Sequence, residues 1–465
     1  MNIMLNISPQ VFFPVVDLLI VITLSSCSIM GKIENQPLTQ VSKASQGYRL
    51  DEYINTHASG ESVIFLAFSG GGTRAAAFSY GVLKALRDTV YPENGKTLRL
   101  LDEVDRISGV SGGSFTAAYY GLFGEQLFKD YKDVFLYRDV QGDLTNRLFS
   151  FSTLTDRLFG SRSYTEKAID YYDRTIFQGK TFADLQQSEG PFIFINATDL
   201  TTESQFVFDQ LQFDFLCSDL SSFKIARAVA ASSAVPVIFE PILIENFPGC
   251  AFTRPQWLSD AETRARETED ERLADAVRAM NEHLDKSNPP YLTLVDGGIV
   301  DNLGLRNLYR EVQFRADRKE LFDRLQEQHK IKRLVIILVN AKTIKENSIG
   351  ISRELPSIAT IVKATTNIPL RLFSTETSAL LEQKLHEWAA EASTKEYPVT
   401  PYFIELSFRD IEEPAEQQYF NSMPTSFVLE QEQVDRLIEL PARLLKQNEA
   451  YQRLLNDLGV KPAVN

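Results

Sequence analysis

Apolar residues fall along this chain in short unbroken runs bounded by turn residues. The first clear run is Val63 to Phe68 (VIFLAF), and a run of that length reads as a strand of a parallel sheet buried on both faces. Gly70-Gly71-Gly72 follows at once, and then the Ala-rich, helix-favouring stretch Ala75 to Leu86. The same order of strand, glycine-rich turn and helix recurs at Val104 to Ile107, Gly109 to Gly113 and Phe115 to Leu122. Phe192 to Asn196, Tyr291 to Val295 and Leu334 to Val339 supply further buried strands, separated by helical or loop segments. Strands alternating with helices predict an α/β fold with a mostly parallel central sheet flanked by helices.

Outside that alternation the pattern changes. Between Arg254 and Lys286 the chain is dense in charge, with Leu258, Leu273, Val277 and Met280 as its main apolar positions, which predicts a solvated helical insertion rather than a binding face. Beyond Ala341 come amphipathic helices at Ile361 to Leu372 and Leu380 to Ala389, a short strand at Tyr402 to Leu406 and a last helix from Leu429 to Leu455. This tail reads either as a helical cap or as a small separate unit. At the other end, Val11 to Leu24 is apolar but interrupted by Pro14 and Asp17, too short for the roughly 20 residues a membrane span needs. An apolar run closing on the small residues Ser25-Ser26-Cys27 is the pattern of a cleaved secretory signal. Residues 28–60 are polar and without period, as a tether would be. The expected organisation is a signal at 1–27, a tether at 28–60, a domain at 61–345 carrying the insertion 254–286, and a mainly helical extension at 346–465.

Composition narrows the function. The 465 residues are 44% hydrophobic, with 48 Lys+Arg against 62 Asp+Glu and a net charge of -14. That balance argues against a protein that lives on nucleic acid or on anionic lipid through a basic surface, because both need clustered Lys and Arg. Three Cys and four His argue against a disulfide scaffold and a structural zinc site. Cys217 and Cys250 are expected as two buried thiols, with pairing as the alternative in an exported protein.

The chemistry gathers at the turns. Gly109-Val110-Ser111-Gly112-Gly113 fits the G-x-S-x-G nucleophile elbow, and it sits between a strand and a helix as that motif requires. A serine hydroxyl attacks only when a base takes its proton and donors hold the resulting oxyanion. Gly70, Gly71 and Gly72, opening a helix, can present bare backbone N–H groups for that purpose. A nucleotide loop is the rival, but there is no G-x-G-x-x-G spacing and no Gly-Lys-Ser/Thr. None of His57, His283, His329 and His386 is well placed as the base, each reading as a surface residue, though His329 preserves the Ser, Asp, His order of an α/β-hydrolase. Asp296, ending the strand Tyr291 to Val295 and followed by Gly297-Gly298, is the better candidate.

These residues resemble the patatin-like phospholipases, lipid acyl hydrolases with a Ser–Asp dyad on an α/β fold also seen in cytosolic phospholipase A2. Gly70-Gly71-Gly72-Thr73-Arg74 looks like the family's oxyanion loop, Gly109 to Gly113 like its elbow, and Asp296-Gly297-Gly298 like its DGG motif. Ala231-Ser232-Ser233-Ala234-Val235-Pro236, with Phe239 and Pro241, is similar to its Pro-containing block, and Asp301-Asn302-Leu303-Gly304 also fits. The resemblance implies Ser111 as nucleophile, Asp296 as its base, no required His, no metal or other cofactor, and a phospholipid or other acyl-ester lipid as substrate. At an ordinary pKa of about 3.9 the Asp is a poor base at neutral pH, so the oxyanion loop would supply much of the acceleration. For Arg74 three roles stay open: binding a phosphate, orienting the loop, or forming a salt bridge beneath it. Leu24-Ser25-Ser26-Cys27 resembles the lipobox of bacterial lipoproteins, which implies an exported protein lipidated on Cys27 and anchored to the cell-envelope membrane, facing the periplasm. A cytoplasmic or peripheral-membrane protein is the alternative location, and a His-dependent hydrolase or a non-catalytic lipid-binding lipoprotein the alternative function.

Overall fold

The computed structural model describes residues 31–38, 47–51, 53, 60–93, 95–140, 142, 163–236, 238–250, 252–287, 289–314, 318–344, 353 and 355–460. Cys27 and His57 lie outside these residues. The central sheet is built from β1 (Ser62–Phe68), β2 (Val104–Val110), β3 (Phe192–Asp199), β4 (Ser204–Val207), β5 (Ile242–Glu245), β6 (Tyr291–Asp296), β7 (Arg333–Asn340) and β8 (Thr400–Ser407). Their spatial order is β8-β7-β1-β2-β3-β6-β5, with β4 paired to β3. From β8 to β3 neighbours run parallel, while β6 is antiparallel to both β3 and β5. The helices used below are α1 (Gly72–Asp88), α2 (Gly112–Phe123), α3 (Ile225–Ser232), α4 (Gln256–Thr268), α5 (Glu271–Leu284), α6 (Gly298–Asp301), α7 (Arg318–His329), α8 (Ile358–Ala392) and α9 (Gln431–Gln447). The mostly parallel sheet flanked by helices is the architecture the alternation predicts. β1, β3 and β7 are buried almost residue by residue, so they read as continuous apolar runs rather than as alternations.

Three segments depart from their sequence reading. The insertion is a helical hairpin of α4 and α5 with a small core of its own, in which Leu258, Leu273, Val277 and Met280 pack with Phe215 and Phe314. The tail is built into the domain: β8 extends the sheet in register with β7, Asn340 opposite Ser407, and α9 lies against α1. Its first two predicted helices merge into the single 35-residue α8, which runs through Pro369. The start of the expected tether is docked, since Gln36–Pro37 pairs with Ser218–Asp219. The Asn35 side chain clasps the Glu245 backbone, donating to its carbonyl and accepting from its amide at 2.9 and 3.0 Å.

Cys217 and Cys250 form a disulfide, correcting the expectation of two free buried thiols. Cys217 directly precedes the strand pair with the docked segment, Cys250 follows β5, and their Cα atoms stand 5.4 Å apart. Closing a loop with a sequence separation of 33 contributes about 3–4 kcal/mol through the unfolded chain.

Candidate active site

Ser111 follows the last residue of β2 with φ 51° and ψ −122°, a conformation that costs a non-glycine residue about 1–3 kcal/mol. The surroundings hold it there. Its amide donates to Ser232 Oγ at 2.9 Å, and its carbonyl accepts from Ser114 Oγ at 2.6 Å. Backbones cross so closely beside it that a Cβ on Gly112 would lie 2.0 Å from the Gly72 carbonyl oxygen, and one on Gly113 2.6 Å from that of Phe68. A Cβ on Gly109 would meet Ser114 Cα at 2.6 Å.

The glycine-rich loop lies against this elbow. Gly71 and Gly72 take φ of 147° and 62°, values open to glycine but strained for other residues. The Gly70 amide donates to the Asn302 carbonyl at 3.0 Å, and the Thr73 amide to the Ser426 carbonyl at 2.9 Å. Among the described residues nothing takes the amides of Gly71 and Gly72, which open α1. Of the three glycine amides expected to hold an oxyanion, that of Gly70 is thus already engaged. Arg74 is buried and bonds to the Ala341 carbonyl (2.9 Å), the Met423 carbonyl (2.7 Å) and Thr425 Oγ1 (3.0 Å). No carboxylate pairs with it among the described residues, so the expected salt bridge beneath the loop is not seen there. Burial holds the guanidinium down to about 10.

Asp296 comes from the opposite direction. Sequence reading places it at the carboxyl edge as if its strand were parallel, whereas β6 runs antiparallel to β3. β3 extends past the end of β2, with Asn196 opposite Val110 and Ala197 opposite Asp296, so β6 ends where the parallel strands also end. The Asp296 amide donates to the Ala234 carbonyl (3.0 Å) and the Gly297 amide to that of Ser232 (3.1 Å). The Pro-containing block thus ties the elbow to the DGG turn. A Cβ on Gly297 would lie 2.3 Å from the Asn196 carbonyl oxygen, and one on Gly298 2.9 Å from Asp296 Oδ1. Burial pushes the Asp296 carboxyl up to about 6, against the opposing pull of the Gly298 amide and the Ser111 hydroxyl, both of which favour its charged form. The Gly298 amide reaches Oδ1 at 2.7 Å. The carboxyl is consequently a stronger base than an ordinary Asp.

A buried polar layer supports these turns. Asn196 Nδ2 donates to Ser108 Oγ (2.8 Å) and the Gly109 carbonyl (2.9 Å). Gln205 Nε2 bridges Asn196 Oδ1 and Asp301 Oδ2 at 3.1 and 3.2 Å, and Asp301 accepts from the amides of Gly304 and Arg306. Sequence reasoning assigned no individual role to Asn196, Gln205 or Ser232, although Ser232 lies in the Pro-containing block and Asn196 closes the apolar run Phe192-Ile193-Phe194-Ile195 as a polar residue.

The histidines stand apart. His329 closes α7 just ahead of β7, at the amino edge of the sheet and hence at the opposite end from Ser111, and His386 is exposed on α8. His283, expected on the surface, is buried with Nε2 3.0 Å from Asp199 Oδ2, because α5 turns its apolar side inward. Burial raises the Asp199 carboxyl, but His283 together with the Thr201 amide and the Thr202 hydroxyl leaves the group below its usual range. No hydrogen bond among the described residues joins this pair to Ser111. Nor is any group of three or more His, Cys, Asp or Glu among them placed to hold a metal ion.

A strained serine, a buried carboxyl with a raised pKa and two unengaged amides are the parts of an acyl-transfer site on an α/β fold. The family model of the patatin-like phospholipases matches residues 66–309, and the chain belongs to that family, one of lipid-hydrolysing enzymes. Among solved structures it is similar to human GIVD cytosolic phospholipase A2 at 12% identity and a TM-score of 0.43, covering 85% of this chain and 62% of that one. The same human enzyme in complex with methyl gamma-linolenyl fluorophosphonate gives 12% identity and a TM-score of 0.42, covering 92% of this chain and 69% of that one. The chain therefore spans roughly two thirds of that enzyme. No curated protein sequence matches it.

Proposed function

We propose that the protein is a serine lipid acyl hydrolase of the phospholipase A or esterase type. Asp296 takes the proton of Ser111 as the hydroxyl oxygen attacks the ester carbonyl. The amides of Gly71 and Gly72 receive the oxyanion, and Asp296 returns its proton to the alcohol oxygen as the ester C–O bond breaks; Asp296 then takes a proton from the water that attacks the acyl-enzyme and passes it to the Ser111 oxygen as the fatty acid leaves. Within the family assignment, the observation that carries this reading is the raised, buried Asp296 carboxyl facing the Ser111 hydroxyl, with no histidine hydrogen-bonded to that serine among the described residues.

The test is hydrolysis of a short-chain p-nitrophenyl ester and of phosphatidylcholine by wild type, Ser111→Ala and Asp296→Asn. Both variants should retain their fold and lose turnover by a factor of about 10³ or more. Full activity in either pure variant would sink the dyad. We further propose that the protein is exported and anchored through a lipid on Cys27. The Cys217–Cys250 disulfide supports the export, because such bonds persist in oxidising compartments.

A further inference from the structure

The polar side chains packed around Ser111 and Asp296 are committed to the scaffold, with one exception. Ser232 Oγ accepts the Ser111 amide and Ser114 Oγ donates to the Ser111 carbonyl. Thr198 Oγ1 donates to the Asp296 carbonyl at 2.9 Å, and Asn196 and Gln205 bond each other and the turns. Thr73 Oγ1, in the first turn of α1, is sealed from solvent. The exception is Asn302. Its side chain is half-buried, and among the described residues its carboxamide makes no hydrogen bond.

The backbone fixes where that carboxamide lies. Asn302 directly follows α6 with φ −68° and ψ −16°. The Asp301 amide before it donates to the Gly297 carbonyl at 3.0 Å, and the Asn302 carbonyl accepts the Gly70 amide, also at 3.0 Å. One bond ties the segment to the DGG turn and the other to the glycine-rich loop. The side chain occupies the space between the same two turns: a Cβ on Gly70 would lie 2.6 Å from Asn302 Oδ1, and one on Gly298 2.8 Å from it. Both positions also border the dyad, the first 3.3 Å from Ser111 Cβ and the second 2.9 Å from Asp296 Oδ1. Two glycines therefore keep open a place for the Asn302 oxygen beside the nucleophile and its base.

A half-buried acceptor without a protein partner is satisfied by whatever donates to it from the site. Acylation has no need of it, since the Ser111 proton goes to Asp296 and the oxyanion goes to N–H donors. Deacylation does. The attacking water carries two protons, of which Asp296 takes one, and a second acceptor is required to fix the water with its lone pair on the acyl carbon. A neutral carboxamide oxygen accepts that hydrogen bond without competing for the proton.

We infer that Asn302 Oδ1 holds the water that hydrolyses the acyl-enzyme, which makes Asn302 a catalytic residue of the second half-reaction. The water oxygen bonds to the acyl carbon as one of its protons passes to Asp296, while the other points at Oδ1. The bond from that carbon to the Ser111 oxygen then breaks, Asp296 returns the proton to Ser111, and the fatty acid leaves carrying the second proton on its carboxyl group. This rests on the Ser111–Asp296 reading above and adds the residue that separates its two steps.

The experiment is stopped-flow hydrolysis of p-nitrophenyl butyrate by the purified full chain and by Asn302→Leu, similar in shape but without an acceptor, together with Asn302→Ala and Asn302→Asp. Labelling by a fluorophosphonate, which attacks Ser111 without any water, reports the nucleophile separately. The Leu and Ala variants should be labelled at the wild-type rate and release one p-nitrophenol per active site in a burst as fast as wild-type acylation. They should then turn over about a hundredfold more slowly than wild type. Asn302→Asp keeps the oxygen and should keep deacylation, but its charge beside Asp296 should move the rise of activity to higher pH. Labelling and burst slowed as much as turnover would reveal a purely structural residue and overturn the proposal, as would turnover unchanged in the Leu and Ala variants. Should those two fail to fold, an unmoved pH profile in Asn302→Asp would place the side chain away from the base and overturn it as well. Ester turnover surviving in Ser111→Ala would remove the dyad and the water site together, whereas a wild type labelled on Ser111 and active keeps the dyad whatever the Asn302 variants do.

Discussion

Replacing Asp296 by Asn should inactivate the enzyme and stabilise it. The carboxyl is held at about 6 against an ordinary 3.8, so the folded protein binds this proton more tightly than the unfolded chain does. The contribution to stability is then fully present below about pH 4 and is lost as the pH rises through about 6. Two pKa units amount to about 3 kcal/mol spent on keeping the group ionised in its buried site at neutral pH. Asparagine mimics the neutral form and keeps an oxygen for the Gly298 amide, now 2.7 Å from Oδ1. Urea denaturation at pH 8 should show Asp296→Asn more stable than wild type by up to about 3 kcal/mol, a gain that disappears at pH 4. Ester hydrolysis by the wild type should rise with pH through about 6, as the base loses its proton. A variant less stable than wild type at pH 8, or a gain equal at both pH values, would falsify the claim that burial of this carboxylate sets its basicity.

Two other predictions concern the turns and the anchor. Gly112→Ala places a methyl group 2.0 Å from the Gly72 carbonyl oxygen, with backbone on both sides; it should cost about 3 kcal/mol or more in denaturation and abolish esterase activity even where soluble protein is recovered. Cells fed radiolabelled palmitate should label the wild-type chain and not Cys27→Ser, and an unlabelled wild type would remove the anchor from the proposal.

The sequence exposed most of the scaffold because its strands are buried on both faces: Val63 to Phe68 and Leu334 to Val339 have no solvent side to interrupt their apolar runs. It could not expose the direction of β6, since Tyr291 to Asp296 has the same local pattern whichever way its neighbours run, and only the order of strands decides. Ser111 and Asp296 stand out through the glycines beside them, whose need is steric and local. Asn302 and Ser232 were marked only as members of motif blocks, and Gln205, which binds the turns together through long-range hydrogen bonds, looks like any polar residue in a strand. His283 was misread for a related reason. Its surroundings in sequence are charged, yet the one face of α5 that carries Leu273, Val277 and Met280 also carries it inward.

The contact between the glycine-rich loop and the far end of the chain bears on biosynthesis. The loop's Thr73 amide and Arg74 side chain rely on Met423, Thr425 and Ser426, about 350 positions later. A ribosome-bound or partly translocated chain that has not yet reached Met423 lacks the carbonyls that fix the loop's shape. The enzyme is thus unfinished until nearly its whole length has emerged, and the membrane across which it is proposed to pass meets an incomplete lipid-cleaving apparatus during transit.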